Sequence, residues 1–417
     1  MPPKLPSERP LRILISAYAC EPGRGSEPGI GWNWVEQSAS FHSVWVLTRA
    51  NNREPIEDRL RHTALPNARF IYVDLPRWAR FWKRGQRGFH LYYQLWQMAA
   101  YFAARKLHQS IDFDLVHHVT LGAYWKPTYL ALLPVPFLWG PVGGGEVSPE
   151  GLRPAFGFRG KAFELARRVA QSCSRLDPFV HLTARKARWG LATTRETEKQ
   201  MRRLGCSDVS VVSQAGLPSD EIEMLGRIPF RESRPFRIVS IGRLLNWKGF
   251  DLALQAFAKF HAKHPESEYW ILGDGPERQR LSNLAKALRV DTSVRMWGQI
   301  DRSELHSKLA ESDIVAHPSL HDSGGWACLE GMAAGKPVVC LDCGGPSSMV
   351  TMDTGMKIPP QSVAQVIGSL ADEFERLACD RGLRFRMGVA ARLRVRAHFA
   401  WEVVGRVPDH VLQGLVK

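Results

Sequence analysis

The sequence predicts an α/β protein of two domains, each built on a doubly wound parallel sheet, and three observations support this. The chain has 417 residues, about three times the usual domain length of roughly 150. Short apolar runs alternate with helix-compatible stretches along both halves of the chain. A polar, basic stretch near residue 230, RIPFRESRPF, separates the two series and indicates a linker.

The first series begins with an apolar run at residues 11–17, a Gly/Pro/Ser-rich loop and a helix. Its later strands are predicted at FHSVWVLT, ARFIYVDL, DLVHHVT, VPFLWGPV and LATT. The second series places strands at FRIVSIG, EYWILGDG, VRMWGQI, DIVAHPS and KPVVCLD. Two such domains facing each other leave a cleft at the carboxyl ends of both sheets, where ligands of these folds bind.

Composition and charge narrow the class of protein. Hydrophobic residues make up 44% of the chain and charged residues 23%, which excludes a disordered protein. The formal net charge of +15 favours anionic partners such as nucleotides, nucleic acids or anionic lipid. Neither a membrane-spanning segment nor a signal peptide is visible, so we expect a cytoplasmic protein. Seven scattered cysteines suit a reducing compartment, and we interpret the CxxC of Cys340 and Cys343 as structural.

A first candidate anion site lies directly after a predicted strand, in IGRLLNWKGFDLALQAF. Gly242 allows close approach of a ligand to the backbone, and the following helix start supplies N–H groups and a positive dipole end. Arg243 and Lys248 add fixed positive charge suited to a diphosphate. The alternative is that both are ordinary solvated cations. The motif is neither a P-loop nor a GxGxxG dinucleotide fingerprint.

A second candidate site is HDSGGWACLEGMAAGKPVV, where Asp322 and Glu330 are eight residues apart. Gly324 and Gly325 form the loop between them, and a helix is expected to start at Leu329. The layout predicts two carboxylates close together, suited to sugar hydroxyls, beside a helix start suited to phosphate. The alternative is that Glu330 is an ordinary residue of a helix first turn, favoured there by the dipole.

The order of these motifs with GDGPE and WGQI resembles the retaining glycosyltransferases of family 4, which have the GT-B fold. The resemblance is strongest from Phe236 to Val350, and Trp401 is typical of the helix that crosses back to the first domain. It implies two Rossmann-like domains with parallel sheets facing across a cleft. The implied boundaries are 1–228 for the acceptor-binding domain, 229–395 for the nucleotide-sugar-binding domain and 396–417 for the returning helix.

The resemblance also implies roles for individual residues. Arg243 and Lys248 contact the donor diphosphate, and Glu330 binds the ribose hydroxyls. Asp322 contacts the donor sugar, although the family usually has the longer Glu at this position, so the donor sugar stays open. The remaining donor-binding positions are Gly273, Gly275, Gln299, Gly324, Gly325 and Leu329.

The first half of the chain has counterparts to the family's loops and histidine. Two glycine-rich loops are expected to approach phosphate and acceptor, through Gly25, Ser26 and Gly29 in one and Gly144 and Gly145 in the other. Each could alternatively be a simple turn. His117 and His118 end a strand and point to opposite faces. We favour His118 as the one near the donor sugar, and an adjacent pair on a strand is poor geometry for zinc.

Residues 76–110 contain seven basic residues and no acidic one. They are interleaved with Trp78, Trp82, Tyr92, Tyr93 and Trp96, a pattern that suits an anionic membrane surface. The alternative is a helix pair whose aromatic residues pack in the core. The basic residues are Arg77, Arg80, Lys83, Arg84, Arg87, Arg105 and Lys106.

The sequence therefore predicts a cytoplasmic, membrane-peripheral hexosyltransferase. It would transfer a sugar from a nucleotide-diphosphate donor to a glycan or lipid-linked acceptor, in cell-surface polysaccharide synthesis. The resemblance implies retention of anomeric configuration by front-face displacement, with no metal and no cofactor beyond the nucleotide-sugar co-substrate. The alternatives are a nucleotide-sugar epimerase of the same fold and a basic nucleic-acid-binding protein. No nucleic-acid-binding motif supports the last.

Overall fold

The computed structural model describes residues 10–80, 82–83, 87–230, 235–407 and 411, which divide into two compact units. The first unit takes in the described residues of Met1–Gly145, Gln171–Gln214 and Gly405–Lys417. The second takes in those of Glu146–Ala170 and Ala215–Val404.

The first unit has a seven-stranded parallel sheet in the order β3-β2-β1-β4-β5-β6-β7. Its strands are β1 (Arg12–Ser16), β2 (Ser43–Arg49), β3 (Ala68–Val73), β4 (Leu115–His118), β5 (Phe137–Val142), β6 (Trp189–Ala192) and β7 (Val209–Val211). The helices that lie within this unit are α1 (Ser26–Ala39), α2 (Arg53–His62), α3 (Phe89–Ile111), α5 (Pro178–Lys186) and α6 (Arg195–Leu204). Helix α4 (Phe158–Ser174) has residues in both units.

The second unit has a six-stranded parallel sheet in the order β10-β9-β8-β11-β12-β13. Its strands are β8 (Arg237–Ile241), β9 (Glu268–Leu272), β10 (Val294–Gly298), β11 (Ile314–His317), β12 (Val338–Leu341) and β13 (Gly355–Ile358). Its helices are α7 (Ser219–Gly226), α8 (Phe250–His261), α9 (Arg278–Ala287), α10 (Arg302–Ala310), α11 (Trp326–Ala333), α12 (Gly344–Met349), α13 (Val363–Cys379), α14 (Arg381–His398) and α15 (Trp401–Val404).

Local chemistry explains where these elements begin. The central strands β4, β5, β11 and β12 are buried along their whole length, as expected of strands covered by helices on both faces. Helix α6 starts where the Thr-rich turn predicts it, because the Thr194 hydroxyl accepts the Thr197 N–H. Asp301 and Ser362 cap α10 and α13 in the same way. The predicted strands are confirmed.

The division of the chain differs from the predicted boundary after residue 228. The second unit begins at Ala215, because α7 buries Ile222 and Leu225 within it. It also includes Glu146–Ala170, whose Leu152 and Phe156 pack in its hydrophobic core. Part of the predicted linker, residues 231–234, lies outside the described residues.

The C-terminal segment returns to the first unit from Gly405 onward, which is later than the predicted 396. Arg406 lies over the Phe41 ring at 5.1 Å, and Val411 is buried. Residues 408–410 and 412–417 of the predicted returning helix lie outside the described residues. No helix in the described part of the chain combines the length and apolarity needed to cross a bilayer.

Candidate donor-binding site

The predicted anion cradle lies at the carboxyl end of β8. Gly242 has a φ of 140° that favours glycine, and Arg243 follows it with an exposed side chain. Within the described ranges, the Arg243 guanidinium has no hydrogen-bond or ion-pair partner. Gly249 caps α8 with a φ of 68°, and a β-carbon there would lie 2.0 Å from the Pro318 carbonyl oxygen. The chain can therefore start α8 at this point only with glycine.

Lys248 and Asp322, predicted in separate motifs, are joined directly. The Lys248 ammonium forms an ion pair with Asp322 Oδ2, and His317 Nε2 lies 3.2 Å from the same oxygen. Burial would raise the pKa of Asp322, but Lys248 and His317 hold that pKa below its ordinary value. Asp322 is thus ionised and already shared between two partners.

The other oxygen of Asp322 shapes the loop before α11. Asp322 Oδ1 accepts the N–H groups of Gly324 and Gly325 at 3.2 and 3.4 Å. Gly325 has a φ of 61° and caps the helix. The short side chain at 322 therefore serves as a loop cap, a role that the prediction of a sugar contact did not include.

Helix α11 begins at Trp326, so the predicted start at Leu329 is wrong. The Leu329 N–H already bonds to the Gly325 carbonyl, and its side chain is fully buried. Leu329 therefore offers neither a free backbone donor nor a side-chain contact to a ligand. The first-turn N–H groups that could meet an anion belong to Trp326 and Ala327.

Glu330 is buried on α11 and pairs with a residue that the sequence reasoning missed. Arg302 Nη1 lies 3.0 Å from Glu330 Oε1, and Arg302 also forms an ion pair with Glu221 on α7. Burial raises the pKa of Glu330 to about 7, against the opposing effect of Arg302. Arg302 lies three residues after Gln299, so nearness to that predicted donor-binding position was the one available signal in the sequence.

The predicted nucleotide turns pack backbone to backbone at the same sheet edge. A β-carbon on Gly273 would lie 2.0 Å from the Gly242 carbonyl oxygen, and the Gly273 N–H donates to Gly298 at 2.7 Å. A β-carbon on Gly275 would lie 2.5 Å from the Leu244 carbonyl oxygen. The structure thus brings together the loops after β8, β9 and β10, with Gln299 exposed beside them.

A segment from the first half of the sequence supports this site. Phe163 of α4 stacks on Trp247 with ring centroids 4.9 Å apart, and Trp247 stacks on His321 at 5.3 Å. His321 Nε2 lies 2.9 Å from Glu164 Oε1. Because Trp247 and His321 directly precede Lys248 and Asp322, these contacts hold the two charged residues in place. Sequence reasoning assigned this segment to the other domain.

Comparison with known proteins supports the interpretation of this unit. Residues 226–394 match the family described as Glycosyl transferases group 1. This part of the second unit is therefore similar to the group 1 glycosyl transferases.

Two curated relatives align with part of the chain. The glycogen synthase of Mycobacterium tuberculosis (strain ATCC 25618 / H37Rv) is 31% identical over 44% of this chain and 45% of its own length. A GDP-mannose-dependent monoacylated alpha-(1-6)-phosphatidylinositol monomannoside mannosyltransferase of Corynebacterium glutamicum is 29% identical over 47% of this chain and 51% of its own length. The chain thus spans about half the length of the curated relatives it matches.

A solved structure extends the likeness to the whole fold. Anabaena HepE, in complex with UDP and glucose, superposes with a TM-score of 0.62 at 16% identity, covering 97% of this chain and all of HepE. The fold is therefore GT-B, with two Rossmann-like α/β units. Among the described residues, no group of three His, Cys, Asp or Glu side chains could hold a metal ion.

Outside the second unit, the first glycine-rich loop precedes α1. Gly25 is exposed with open space around its α-carbon, and Ser26 has a φ of 64°. A β-carbon on Gly29 would lie 1.9 Å from the Arg24 carbonyl oxygen. Gly29 is thus needed for the turn itself, whereas Gly25 and Ser26 present backbone at a helix start.

The second glycine-rich loop, which was predicted to approach phosphate and acceptor, is packed closely. A β-carbon on Gly144 would lie 2.2 Å from the Trp125 ring, and the Gly144 carbonyl accepts from Gln171 at 2.7 Å. The Gly145 N–H donates to Thr197 Oγ1 at 3.0 Å. These contacts favour the alternative, in which the two glycines serve the turn.

The two histidines at the end of β4 are both buried. His117 Nε2 lies 2.6 Å from the Gly140 carbonyl oxygen, and its ring meets Trp34 edge-on. His118 Nδ1 has no hydrogen-bond partner in the described part of the chain. Burial lowers the pKa of His117 to about 4 and that of His118 to about 3, so both are neutral. His118 keeps an unused ring nitrogen and remains the preferred candidate.

The prediction that the aromatic residues of 76–110 face a membrane is wrong for Tyr92, Tyr93 and Trp96. All three are buried on the inner face of α3, because their spacing places them against the sheet. Trp82 is partly buried and packs on the core, while Trp78 is 78% exposed. Arg84 and the side chain of Arg77 lie outside the described residues.

Proposed function

We propose that this protein is a retaining hexosyltransferase that uses a nucleotide-diphosphate sugar. The proposal is supported by the placement of Arg243 directly after β8, by the ion pair of Lys248 with Asp322, and by Glu330 on the helix α11 that follows Asp322. A diphosphate needs cations and backbone N–H groups, and a ribose needs a carboxylate acceptor; this edge has both. The named activities of the two curated relatives and the UDP and glucose bound by Anabaena HepE agree with such a donor.

The donor diphosphate would lie between Arg243 and the start of α8. Arg243 has an exposed guanidinium without a partner among the described residues, so it can bind phosphate oxygens without first breaking an ion pair. Lys248 is bound to Asp322 and would be shared between that carboxylate and the diphosphate. Charge-assisted contacts of this kind contribute about 1.5–3 kcal/mol each.

The reaction would proceed at the anomeric carbon. Its bond to the diphosphate oxygen breaks while the acceptor hydroxyl oxygen bonds to the same face, and the leaving diphosphate takes the hydroxyl proton. Arg243, Lys248 and the α8 N–H groups would stabilise the charge that develops on the leaving group. We propose that this cationic set replaces a metal ion, so that chelation with EDTA leaves turnover unchanged.

The remaining residues would position the donor. Glu330 would accept the ribose hydroxyls in its ionised form, with Arg302 orienting its carboxylate. Asp322, already capping its loop, would contact the sugar through an oxygen that also faces Lys248. His118 would lie near the sugar as a neutral hydrogen-bonding group.

We further propose that the acceptor is a glycan or a lipid-linked glycan of the cell surface, reached by docking on anionic membrane. Support comes from the outer face of α3, which we define as Leu91, Met98, Phe102, Arg105 and Lys106. Its three apolar side chains are exposed, and their spacing of seven and four places them on one helical face. Arg105 and Lys106 are exposed at the end of the same face.

Calorimetry with a panel of nucleotide sugars and the matching nucleoside diphosphates tests the donor assignment. Glu330→Gln should weaken both ligands about equally, because ribose is common to both. Asp322→Asn should weaken the nucleotide sugar more than the nucleoside diphosphate. Glu304→Gln on the neighbouring helix α10 is the matched control. Equal effects of the first two variants on both ligands would contradict the assigned roles.

A further inference from the structure

A group of aromatic and cationic side chains gathers at the carboxyl ends of β1, β2 and β3 in the first unit. Tyr18 follows β1, Arg49 is the last residue of β2, and Asp74 follows β3. The inner face of α3 adds Tyr92 beside them, with its ring 6.5 Å from that of Tyr18. Ligands of doubly wound folds bind at this edge of the sheet.

Arg49 lies between two rings and not against a carboxylate. Its guanidinium carbon is 5.0 Å from the Tyr18 ring centroid and 5.1 Å from that of Tyr92. Throughout the described ranges, Arg49 has no ion-pair partner, and its Nε is buried without a hydrogen bond. The Arg49 guanidinium interacts with the hydroxyl groups of both tyrosines, and because a guanidinium has five N–H donors it keeps donors for an oxyanion.

Positively charged side chains outnumber negatively charged ones around this group. Asp74 is the carboxylate nearest the group, and it already binds Arg80 and the Tyr92 hydroxyl. The Lys83 ammonium lies 5.0 Å from the Tyr92 ring. Burial and the nearby charge of Arg49 lower the pKa of Lys83, against the opposing effect of Asp74. An anion placed between Arg49 and Lys83 would relieve their repulsion.

The Tyr18 hydroxyl provides a second, independent indication of a ligand. The residue is only 4% exposed, yet its hydroxyl makes no well-formed hydrogen bond with any of the described residues, and the Arg49 side chain lies near enough to affect it. Buried polar groups are almost always bonded in native proteins. Asn52, itself buried, donates to the Tyr18 backbone carbonyl at 2.9 Å, and the Tyr18 ring packs edge-on against Tyr93 and Trp96, so both its backbone and its ring are held in position. Burial raises the pKa of Tyr18 to about 12, so the hydroxyl stays a donor at neutral pH.

We propose that Tyr18 and Arg49 bind a phosphoryl group carried by the acceptor. This proposal rests on the proposed glycosyltransferase function and narrows the acceptor to an anionic class. The guanidinium can donate to two phosphoryl oxygens and the tyrosine hydroxyl to a third. Lys83 adds charge without fixing geometry.

Equilibrium dialysis with inorganic pyrophosphate separates this site from the donor site. The wild type should bind two equivalents. The double variant Arg243→Ala Lys248→Ala should bind one, and adding Arg49→Gln to it should remove the second. Arg53→Gln is the matched control, because Arg53 lies over the Tyr72 ring at 4.5 Å one turn further along. If adding Arg49→Gln to the Arg243→Ala Lys248→Ala variant leaves pyrophosphate binding unchanged, the proposal is wrong. That result would leave the donor assignment intact.

A second measurement separates binding from folding. Tyr18→Phe removes a hydroxyl that makes no well-formed hydrogen bond with the described residues, so the melting temperature should not fall, while pyrophosphate affinity at this site should drop about tenfold. A fall in melting temperature with unchanged affinity would mean that the hydroxyl is structural and would overturn the proposal.

Transfer assays then identify the source of the phosphoryl group. The protein and a nucleotide-sugar donor are given acceptors in pairs that differ only in their phosphoryl groups. The first pairs are free sugars and sugar phosphates, and the second are lipid-linked sugars with and without a diphosphate. Arg49→Gln should abolish the preference for the phosphorylated partner, and Arg53→Gln should not. Equal turnover of both partners by the wild type would contradict the proposal, as would a preference for a sugar acid over the sugar phosphate.

Discussion

The two units differ in how they hold charge at the carboxyl ends of their sheets. In the second unit, Lys248 is paired with Asp322 and Arg302 with Glu330. In the first unit, Arg49 lies over two tyrosine rings. An ion pair formed within the protein orients both groups but must be shared when a ligand arrives, whereas a cation without a carboxylate keeps its full capacity. Substitutions of the ion-paired residues of the second unit should therefore affect stability and binding together, whereas substitutions of cations that have no ion pair within the described residues, such as Arg49 in the first unit and Arg243 in the second, should affect binding alone.

The largest expected effect distinguishes Lys248 from Arg243, the two cations of the predicted anion site after β8. Lys248→Ala should lower kcat/KM at least tenfold and also destabilise the fold by about 2 kcal/mol, because it leaves the partly buried Asp322 without its lysine partner. Arg243→Ala should lower kcat/KM by a similar factor while changing the free energy of unfolding by less than about 0.5 kcal/mol, because its side chain is exposed. Steady-state kinetics and urea denaturation measure the two quantities.

Lys259→Ala provides the control for this prediction, since it removes an exposed lysine from α8 without touching the cradle. It should change neither quantity. If Lys248→Ala instead unfolds no more readily than Lys259→Ala, the ion pair with Asp322 contributes no net stability. If Arg243→Ala and Lys248→Ala both retain full turnover, the donor site lies elsewhere.

A smaller effect concerns pH and Glu330. The pKa of Glu330 is raised to about 7 in the folded protein, against an ordinary value of 4.5. Between these values the folded state binds more protons than the unfolded state, so the free energy of unfolding falls as pH rises through this window. The total change is on the order of 3 kcal/mol. Urea denaturation from pH 4.5 to 7.5 should show this slope in the wild type and a flatter one in Glu330→Gln.

The Glu304→Gln variant should keep the wild-type slope. If the free energy of unfolding depended on pH equally in the wild type and in Glu330→Gln, Arg302 would hold Glu330 ionised over the whole range. The pair of Arg302 and Glu330 would then respond to pH as an ordinary surface ion pair does.

The sequence predicted the second unit well because its chemistry lies in short contiguous motifs. Arg243 and Lys248 are five residues apart and follow a strand, so the topology alone places them at one edge of the sheet. The contact between Lys248 and Asp322 was not predicted, because it joins residues 74 positions apart. Arg302 was missed because a single arginine after a turn has no distinguishing pattern. The start of α11 was placed too late, since Trp326 and Ala327 resemble loop continuation after two glycines.

The first unit was predicted less completely for a related reason. Tyr18, Arg49 and Asp74 come from three strand ends separated by loops and helices, and only the folded sheet brings them together. The aromatic residues of α3 were misjudged because tyrosine and tryptophan suit both a core and a membrane interface. Their helical period indicates which face is buried only when the position of the sheet is known. The assignment of Glu146–Ala170 to the second unit likewise depends on long-range packing of Leu152 and Phe156.

Helices α3 and α14 are both basic, and both expose apolar side chains. On α14, Phe385 and Leu393 are exposed, but Arg392 and Arg394 donate to backbone carbonyls within the second unit. On α3, Arg105 and Lys106 are exposed, and no acidic residue occurs between positions 76 and 110. We therefore expect only the first unit to bind anionic membrane.

Membrane binding is the smallest of the three expected effects, and vesicle flotation measures it. The wild type should float with anionic vesicles and less with neutral ones, because each basic residue near the surface contributes about 1 kcal/mol. The double variant Arg105→Ser Lys106→Ser should reduce flotation on anionic vesicles. The double variant Leu91→Ser Phe102→Ser should reduce the vesicle binding that remains at high salt. The two differ because charge is screened within about 8 Å at physiological salt, whereas apolar burial is not. Phe385→Ser Leu393→Ser on α14 should change nothing. If the α14 variant loses flotation while the α3 variants keep it, the second unit docks instead, and an acceptor bound by the first unit would have to reach it from solution.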